Sequence, residues 1–306
     1  MLSYLSSASL EAALRARVGA WSSVGCFIWP PRRRSVWLAV ALPGSVLSVE
    51  ETLVLKAVKA GLVGRALAAF RVDECIVYRD PDTAERDARL LVSYLRYMLI
   101  PPHLRKKAVP LTGELRASGV LPPLKTYNHL APEELREGDI IEVFVEECYR
   151  DSCRAYLGKP GYGVLRGVHK PGSIVVARVV SAKRGLYELE EASWGDVYTG
   201  FKVRSLGDLA SVVSYLRRRG ALVVLASKYG DCLSRQAGRL REGVEKRRKL
   251  ALVFGGPYRC PYEYSDHSLF DAIVNTIPHQ GTETVRTEEA IVATLAAIAN
   301  TSVLED

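Results

Sequence analysis

The stretch Asn275-Thr276-Ile277-Pro278-His279-Gln280-Gly281-Thr282-Glu283-Thr284-Val285-Arg286-Thr287-Glu288-Glu289 follows an apolar run and opens a helix. The helix is expected from 287 to about 300, because Ile291, Val292, Leu295, Ala296 and Ile298 form an apolar stripe. Glu288 and Glu289 lie in its first turn, where the macrodipole favours acids. The preceding loop therefore gathers backbone N–H groups and hydroxyls at the positive end of a helix, as a cofactor loop does. The plain alternative is an Ile-Pro turn with a glycine, followed by an acid that caps the helix.

Working back from this loop, the pattern is an α/β alternation. A helix is expected over Asp208–Arg219, a strand over Ala221–Ala226, a basic helix over Leu233–Arg247, a strand over Leu250–Phe254 and a third apolar run over Phe270–Val274. Each strand ends in a polar or glycine loop: Ser227–Asp231, then Gly255-Gly256-Pro257, then Ile277–Thr284. Ligands of open α/β sheets bind beyond the carboxyl ends of the strands, so three such loops can make one pocket.

The same alternation occupies the first part of the chain. Ser35–Leu42 reads as a buried strand, Val49–Ala60 as a helix, Glu74–Tyr78 as a second strand and Ala84–Leu99 as a helix stopped by Pro101-Pro102. From about Pro122 to Ser205 the period changes to two, with glycine-rich turns, which predicts a small β-barrel of OB type. Its candidate strands are Asp139–Glu146, Cys153–Leu157, Tyr162–Arg166, Ser173–Ser181, Leu186–Glu191 and Tyr198–Val203. Tyr149, Tyr156, Tyr162, Trp194, Tyr198 and Phe201 alternate there with Arg150, Arg154, Arg166 and Lys170, a mixture able to stack on and neutralise RNA. The barrel is expected as an insertion at 123–205 in an α/β domain made of 1–122 and 206–306.

Composition sets the wider class. Among 306 residues, 48% are hydrophobic and 25% charged, the balance of a folded rather than a disordered chain. No apolar run reaches the roughly 18 residues that span a bilayer. The N-terminus, with Glu11, carries no secretory signal pattern, so a cytoplasmic protein is expected. The net charge is +8, with runs at Arg32-Arg33-Arg34, Arg105-Lys106-Lys107, Arg217-Arg218-Arg219 and Arg247-Arg248-Lys249. Such clusters suit nucleic-acid phosphates, although any one of them can be a solvated helix end. The six cysteines match no zinc template, and no metal site is expected. Cys148 and Cys153, the only close pair, are read as buried or loop thiols, or as a disulfide if the source is hyperthermophilic. A hyperthermophilic source fits the scarcity of thermolabile amides, three Asn and two Gln. Three of these five, Asn275, Gln280 and Asn300, fall in the last 32 residues.

Phe254-Gly255-Gly256-Pro257 and the Asn275–Glu289 stretch resemble signatures of the SPOUT methyltransferase superfamily, in its archaeal and eukaryotic branch of RNA methyltransferases with an inserted OB-like barrel. Gly64-Arg65 through Val72, Tyr94–Pro102 and Ser118–Leu124 resemble it too, and the likeness runs from about 35 to 304. The resemblance implies a trefoil-knotted α/β domain that pairs into a homodimer through the knot and binds S-adenosylmethionine. It assigns Ser227, Gly230, Gly255, Gly256, Pro257, Asn275, Ile277, Pro278, Gln280, Gly281, Thr282, Thr284 and Val285 to the cofactor. Where the branch carries a pair of histidines after Leu121, this chain keeps only His129. The implied activity is methylation of ribosomal RNA, with a uridine ring nitrogen as one acceptor and Arg286 as a cation favouring the anionic base. Arg286 has a structural alternative, pairing with Glu288 or Glu289. Two other functions share the fold: a catalytically idle RNA-binding or ribosome-assembly factor, and a protein methyltransferase.

Overall fold

The computed structural model describes residues 22–24, 26–110, 112–130, 133–183 and 185–304. The N-terminal stretch judged for a secretory signal lies outside them. A hairpin (β1, Ser22–Val24; β2, Phe27–Trp29) precedes β3 (Trp37–Pro43), α1 (Leu53–Ala69), β4 (Glu74–Arg79) and α2 (Glu85–Leu99). Five strands follow: β5 (Ile140–Tyr149), β6 (Ser152–Gly158), β7 (Gly161–Arg166), β8 (Ile174–Lys183) and β9 (Leu186–Glu191). The chain continues as β10 (Lys202–Asp208), α3 (Leu209–Arg218), β11 (Leu222–Cys232), α4 (Leu233–Arg247), β12 (Lys249–Phe254), β13 (Ala272–Asn275) and α5 (Thr287–Ala299). Among the described residues these elements form two compact units, one drawn from 34–99, 111–124 and 200–306, the other from 1–33, 100–110 and 125–199.

The first unit is built on a parallel sheet of order β10-β4-β3-β12-β11-β13. In β3 every residue from Leu38 to Pro43 is buried, as a parallel strand covered on both faces requires. Leu38, Val40 and Leu42 face a core shared with α1, α2, α4 and α5, while Ala39 and Ala41 face α3 on the opposite side. Thr52 Oγ1 accepts the Leu55 N–H at 3.2 Å to start α1, and Asp208 Oδ1 accepts the Ser211 N–H at 2.9 Å to start α3.

Two expected boundaries move. The first helix runs to Ala69 instead of ending near Ala60, and its two glycines, Gly61 and Gly64, serve close packing. A Cβ on Gly61 would lie 2.4 Å from Pro122 Cδ, and one on Gly64 would lie 2.9 Å from Met98 Cε. The strand expected to stop at Ala226 runs to Cys232, yet Ala226 and Asp231 both pair with Val274. Ser227–Gly230 is thus an excursion inside β11 rather than a loop after it.

In the second unit the order β5-β6-β7-β9-β8 closes into a barrel, antiparallel except between β7 and β9. With β5 paired to both β6 and β8, this is an OB-type arrangement. Ile141, Val143, Val145, Cys153, Ala155, Leu157, Leu165, Ala177, Val179 and Leu189 fill it at alternate positions. Cys148 and Cys153 face each other across β5 and β6 and form a disulfide. The sixth candidate strand, Tyr198–Val203, is corrected. The strand there is β10, at 202–208, and it pairs in parallel with β4 at the edge of the α/β sheet. Phe201 accordingly packs in the α/β core, because period-2 alternation is the same for a barrel strand and a half-covered edge strand.

Candidate functional site

The carboxyl ends of β11, β12 and β13 bring the three expected loops together. Asn275 Nδ2 donates to Lys228 O at 3.1 Å, and Lys228 Nζ donates to Glu283 O at 3.2 Å, so the β11 excursion is tied to the loop after β13. Thr287 Oγ1 donates to Gly255 O at 3.1 Å, joining the loop after β12 to the start of α5. The Cys260 thiol donates to Ser227 Oγ at 3.3 Å, linking the excursion to the segment beyond Pro257.

Each loop has its own means of support. Gly230 lies against the β13 backbone, where a Cβ would be 2.6 Å from Ile273 C and O and from Val274 N. At Gly255 a Cβ would be 3.0 Å from Pro261 Cδ, and at Gly256 it would be 2.5 Å from Ser45 Oγ. Ser45 Oγ is held by Asp80 Oδ2 at 2.7 Å, and both residues are buried. The loop after β13 is held by its own side chains. Asn275 Oδ1 accepts the Ile277 N–H (2.9 Å), Gln280 Nε2 donates to Thr282 O (2.8 Å) and Glu283 O (3.1 Å), and Thr282 Oγ1 donates to Thr284 O (2.9 Å). His279 has a φ of 56° in this loop, a left-handed conformation uncommon for a residue other than glycine. Pro278, Gly281, Thr282 and Thr284 are exposed, and Ile277, Gln280 and Val285 half-buried.

Arg286 caps nothing with its side chain; its N–H donates to Glu289 Oε2 at 3.0 Å. Its guanidinium, 65% exposed, has Nη1 3.4 Å from Glu50 Oε1 and 3.8 Å from Glu288 Oε1. Beneath it, Lys59 is buried with Nζ 3.0 Å from Glu50 and 3.5 Å from Glu288. Sequence reasoning missed Glu50 and Lys59, which lie over two hundred positions from Arg286 and carry no local signal. Other groups nearby stay neutral at pH 7: burial pushes the Cys260 thiol and the Tyr78 phenol up, and the Tyr264 phenol up to about 12.

The basic runs are largely engaged. Arg217 Nη2 donates to Ser268 O (2.7 Å), Arg247 holds Asp271 through two bonds of 3.0 Å, and Arg219 sits 4.8 Å over the Trp37 ring. Lys107 pairs with Glu146 at 2.6 Å. A cavity of about 240 Å³ lies elsewhere on the sheet, at the ends of β4 and β10 and lined by Tyr78, Arg79, Glu85, Arg89 and Gly207. Among the described residues no group of three or more His, Cys, Asp or Glu side chains could hold a metal ion.

A parallel sheet with joined strand-end loops, in a chain that also carries an OB-type barrel, defines an α/β protein whose loops lie where open sheets of this kind bind ligands. The family described as "Putative RNA methyltransferase" matches residues 37–298, and the chain belongs to it. The match includes Phe254–Pro257 and Asn275–Glu289, so the SPOUT resemblance holds at the level of this family. An uncharacterized protein of Haloarcula marismortui is 31% identical, over 85% of this chain and 98% of its own length. The human 28S rRNA (uridine-N(3))-methyltransferase is 28% identical, over 87% of this chain and 79% of its own length. A crystallised SpoU methyltransferase from Streptomyces viridochromogenes superimposes with a TM-score of 0.36 and 11% identity, over 89% of this chain and 60% of that one.

Proposed function

We propose that the protein transfers a methyl group from S-adenosylmethionine to a uridine ring nitrogen of large ribosomal RNA. The observation that carries this reading is the joining of the three strand-end loops within the span matched by the RNA methyltransferase family. When bound, S-adenosylmethionine supplies an electrophilic methyl group on a positively charged sulfur. The thirteen residues assigned to it fit that role, because they offer hydroxyls, amides, glycines and apolar surface and no charged side chain. Gly281 is exposed with open space where a side chain would stand, so the loop backbone is accessible there.

Displacement at a methyl carbon needs alignment above all. The uridine nitrogen must release its proton to solvent before its electron pair can form the new bond. The Arg286 guanidinium favours the resulting anion, and Glu50 and Glu288 hold it from one side while most of its surface stays open. Tyr156 and Tyr162, 5.4 Å apart in the barrel with Arg154 4.0 Å over Tyr162, add a surface suited to RNA bases.

The same reading includes the knotted C-terminal segment and a homodimer. Val54, Leu55, Val58 and Leu62 of α1 and Val292 of α5 are 42–52% exposed, and the two helices pack together, which supports a second copy of the chain as the occupant of that face.

Titrating the purified protein with S-adenosylmethionine in a calorimeter tests the reading; saturable binding is expected, and its absence would favour the idle RNA-binding factor. Arg286→Ala is expected to lower turnover by about 100-fold or more while sparing cofactor binding. Unchanged turnover would leave Arg286 as a structural residue at the helix start.

A further inference from the structure

Tyr229 sits inside the β11 excursion, between Ser227 and Gly230, with 47% of its surface exposed. Its ring lies tilted against Tyr262, centroids 5.1 Å apart and planes 34° apart, and Tyr262 lies tilted in turn against His267 at 4.0 Å and 32°. The middle ring of the three, Tyr262, is half-buried, and His267 at the far end is exposed. Tyr262 packs against the core on the α3 side of the sheet, and His267 Nε2 lies 2.7 Å from Tyr262 O. The outer end is Tyr229, whose N–H donates to Ser227 Oγ at 3.2 Å. Lys228 Nζ lies 5.2 Å from the Tyr229 ring centroid and is tied to Glu283 O. A half-exposed aromatic ring with Tyr262 against it and a cation over it therefore lies inside the proposed cofactor wall, between Ser227 and Gly230.

We infer that Tyr229 is the stacking platform for the uridine that is methylated, a role that rests on the methyltransferase reading. A ring nitrogen inside a stacked or paired segment cannot reach a methyl donor, so the base must leave its stack. The lost stacking has to be replaced, and proteins that bind unstacked RNA bases replace it with aromatic faces. Tyr229, held against Tyr262, gives such a face, and Lys228 adds positive charge for the adjoining phosphate. Stacking is indifferent to the phenol hydroxyl, so the ring and not the oxygen carries the role.

The test uses the full-length protein and large-subunit ribosomal RNA isolated from a strain lacking it. Tyr229→Ala is expected to raise KM for the RNA about tenfold or more, with the Kd for S-adenosylmethionine unchanged, and Tyr229→Phe to stay within about twofold of wild type. A transcript of the same RNA containing 5-iodouridine, irradiated with the wild-type protein, is expected to cross-link to the peptide carrying Tyr229. An unchanged KM in Tyr229→Ala overturns the inference. So does a parallel loss of S-adenosylmethionine affinity, which would make the ring a wall of the cofactor pocket. A wild-type protein that neither binds S-adenosylmethionine nor methylates RNA would remove the methyltransferase reading itself. The cross-link then still decides whether Tyr229 meets an RNA base, and its absence overturns that contact.

Discussion

At Gly256 a Cβ would lie 2.5 Å from Ser45 Oγ and 3.1 Å from Asp80 Oδ2, whereas at Gly281 it would meet nothing within 4 Å. The two glycines belong to two walls of one proposed site, and the walls are built in different ways. The loop after β12 is fixed by packing against buried groups from the turns that follow β3 and β4, so its glycine is required by the fold. The loop after β13 is fixed by hydrogen bonds among its own residues, and nothing in the fold requires glycine at 281. A residue that the protein does not need for packing is open to explanation by a ligand.

Mutations can break or sharpen that contrast. Gly230→Ala should have the largest effect, because the clash is with the backbone of Ile273 and Val274, which cannot rotate aside; a loss of roughly 3 kcal/mol in unfolding free energy is expected by denaturant titration. Gly256→Ala should cost about 2 kcal/mol, since Ser45 can turn away but gives up its buried bond to Asp80. Stability equal to wild type in either variant would mean that these loops are not packing-limited. Gln280→Ala removes two bonds from a half-buried side chain and should cost about 1 kcal/mol. Gly281→Ala should change stability by less than about 0.5 kcal/mol while weakening S-adenosylmethionine binding in a calorimetric titration. Unaltered binding there would remove the ligand explanation of Gly281.

The same difference accounts for what could be read in advance. The third loop was legible because its signals are local: an apolar run, Ile-Pro, glycine, then acids at a helix start. Most of the bonds its side chains make stay within a few residues, while the ties to Lys228 reach further. The second loop was legible as a turn but not as a packed one, because Ser45 and Asp80 come from the distant turns after β3 and β4. Of the two acids beside the Arg286 guanidinium, Glu288 was foreseen, while Glu50, 236 positions away, was invisible. The strands of the sheet showed in unbroken apolar runs such as Leu38–Leu42, and those of the barrel in alternation. The alternation failed once, at β10, where an edge strand with one covered face produces the same pattern. The basic runs suggested phosphate contacts, yet Arg217, Arg247 and Lys107 are bound to groups of the protein itself.

The β11 excursion has a structural implication. From Ala226 to Asp231 the strand advances five residues while its partner β13 advances none, since both ends meet Val274. The excursion therefore adds length without adding register. Ser227, Lys228 and Tyr229 leave the line of the strand to reach Cys260, Glu283 and Tyr262, while the pairing on either side of them keeps its partners. A regular parallel sheet thereby carries one irregular wall of a site without a slip between strands, with Gly230 against the β13 backbone.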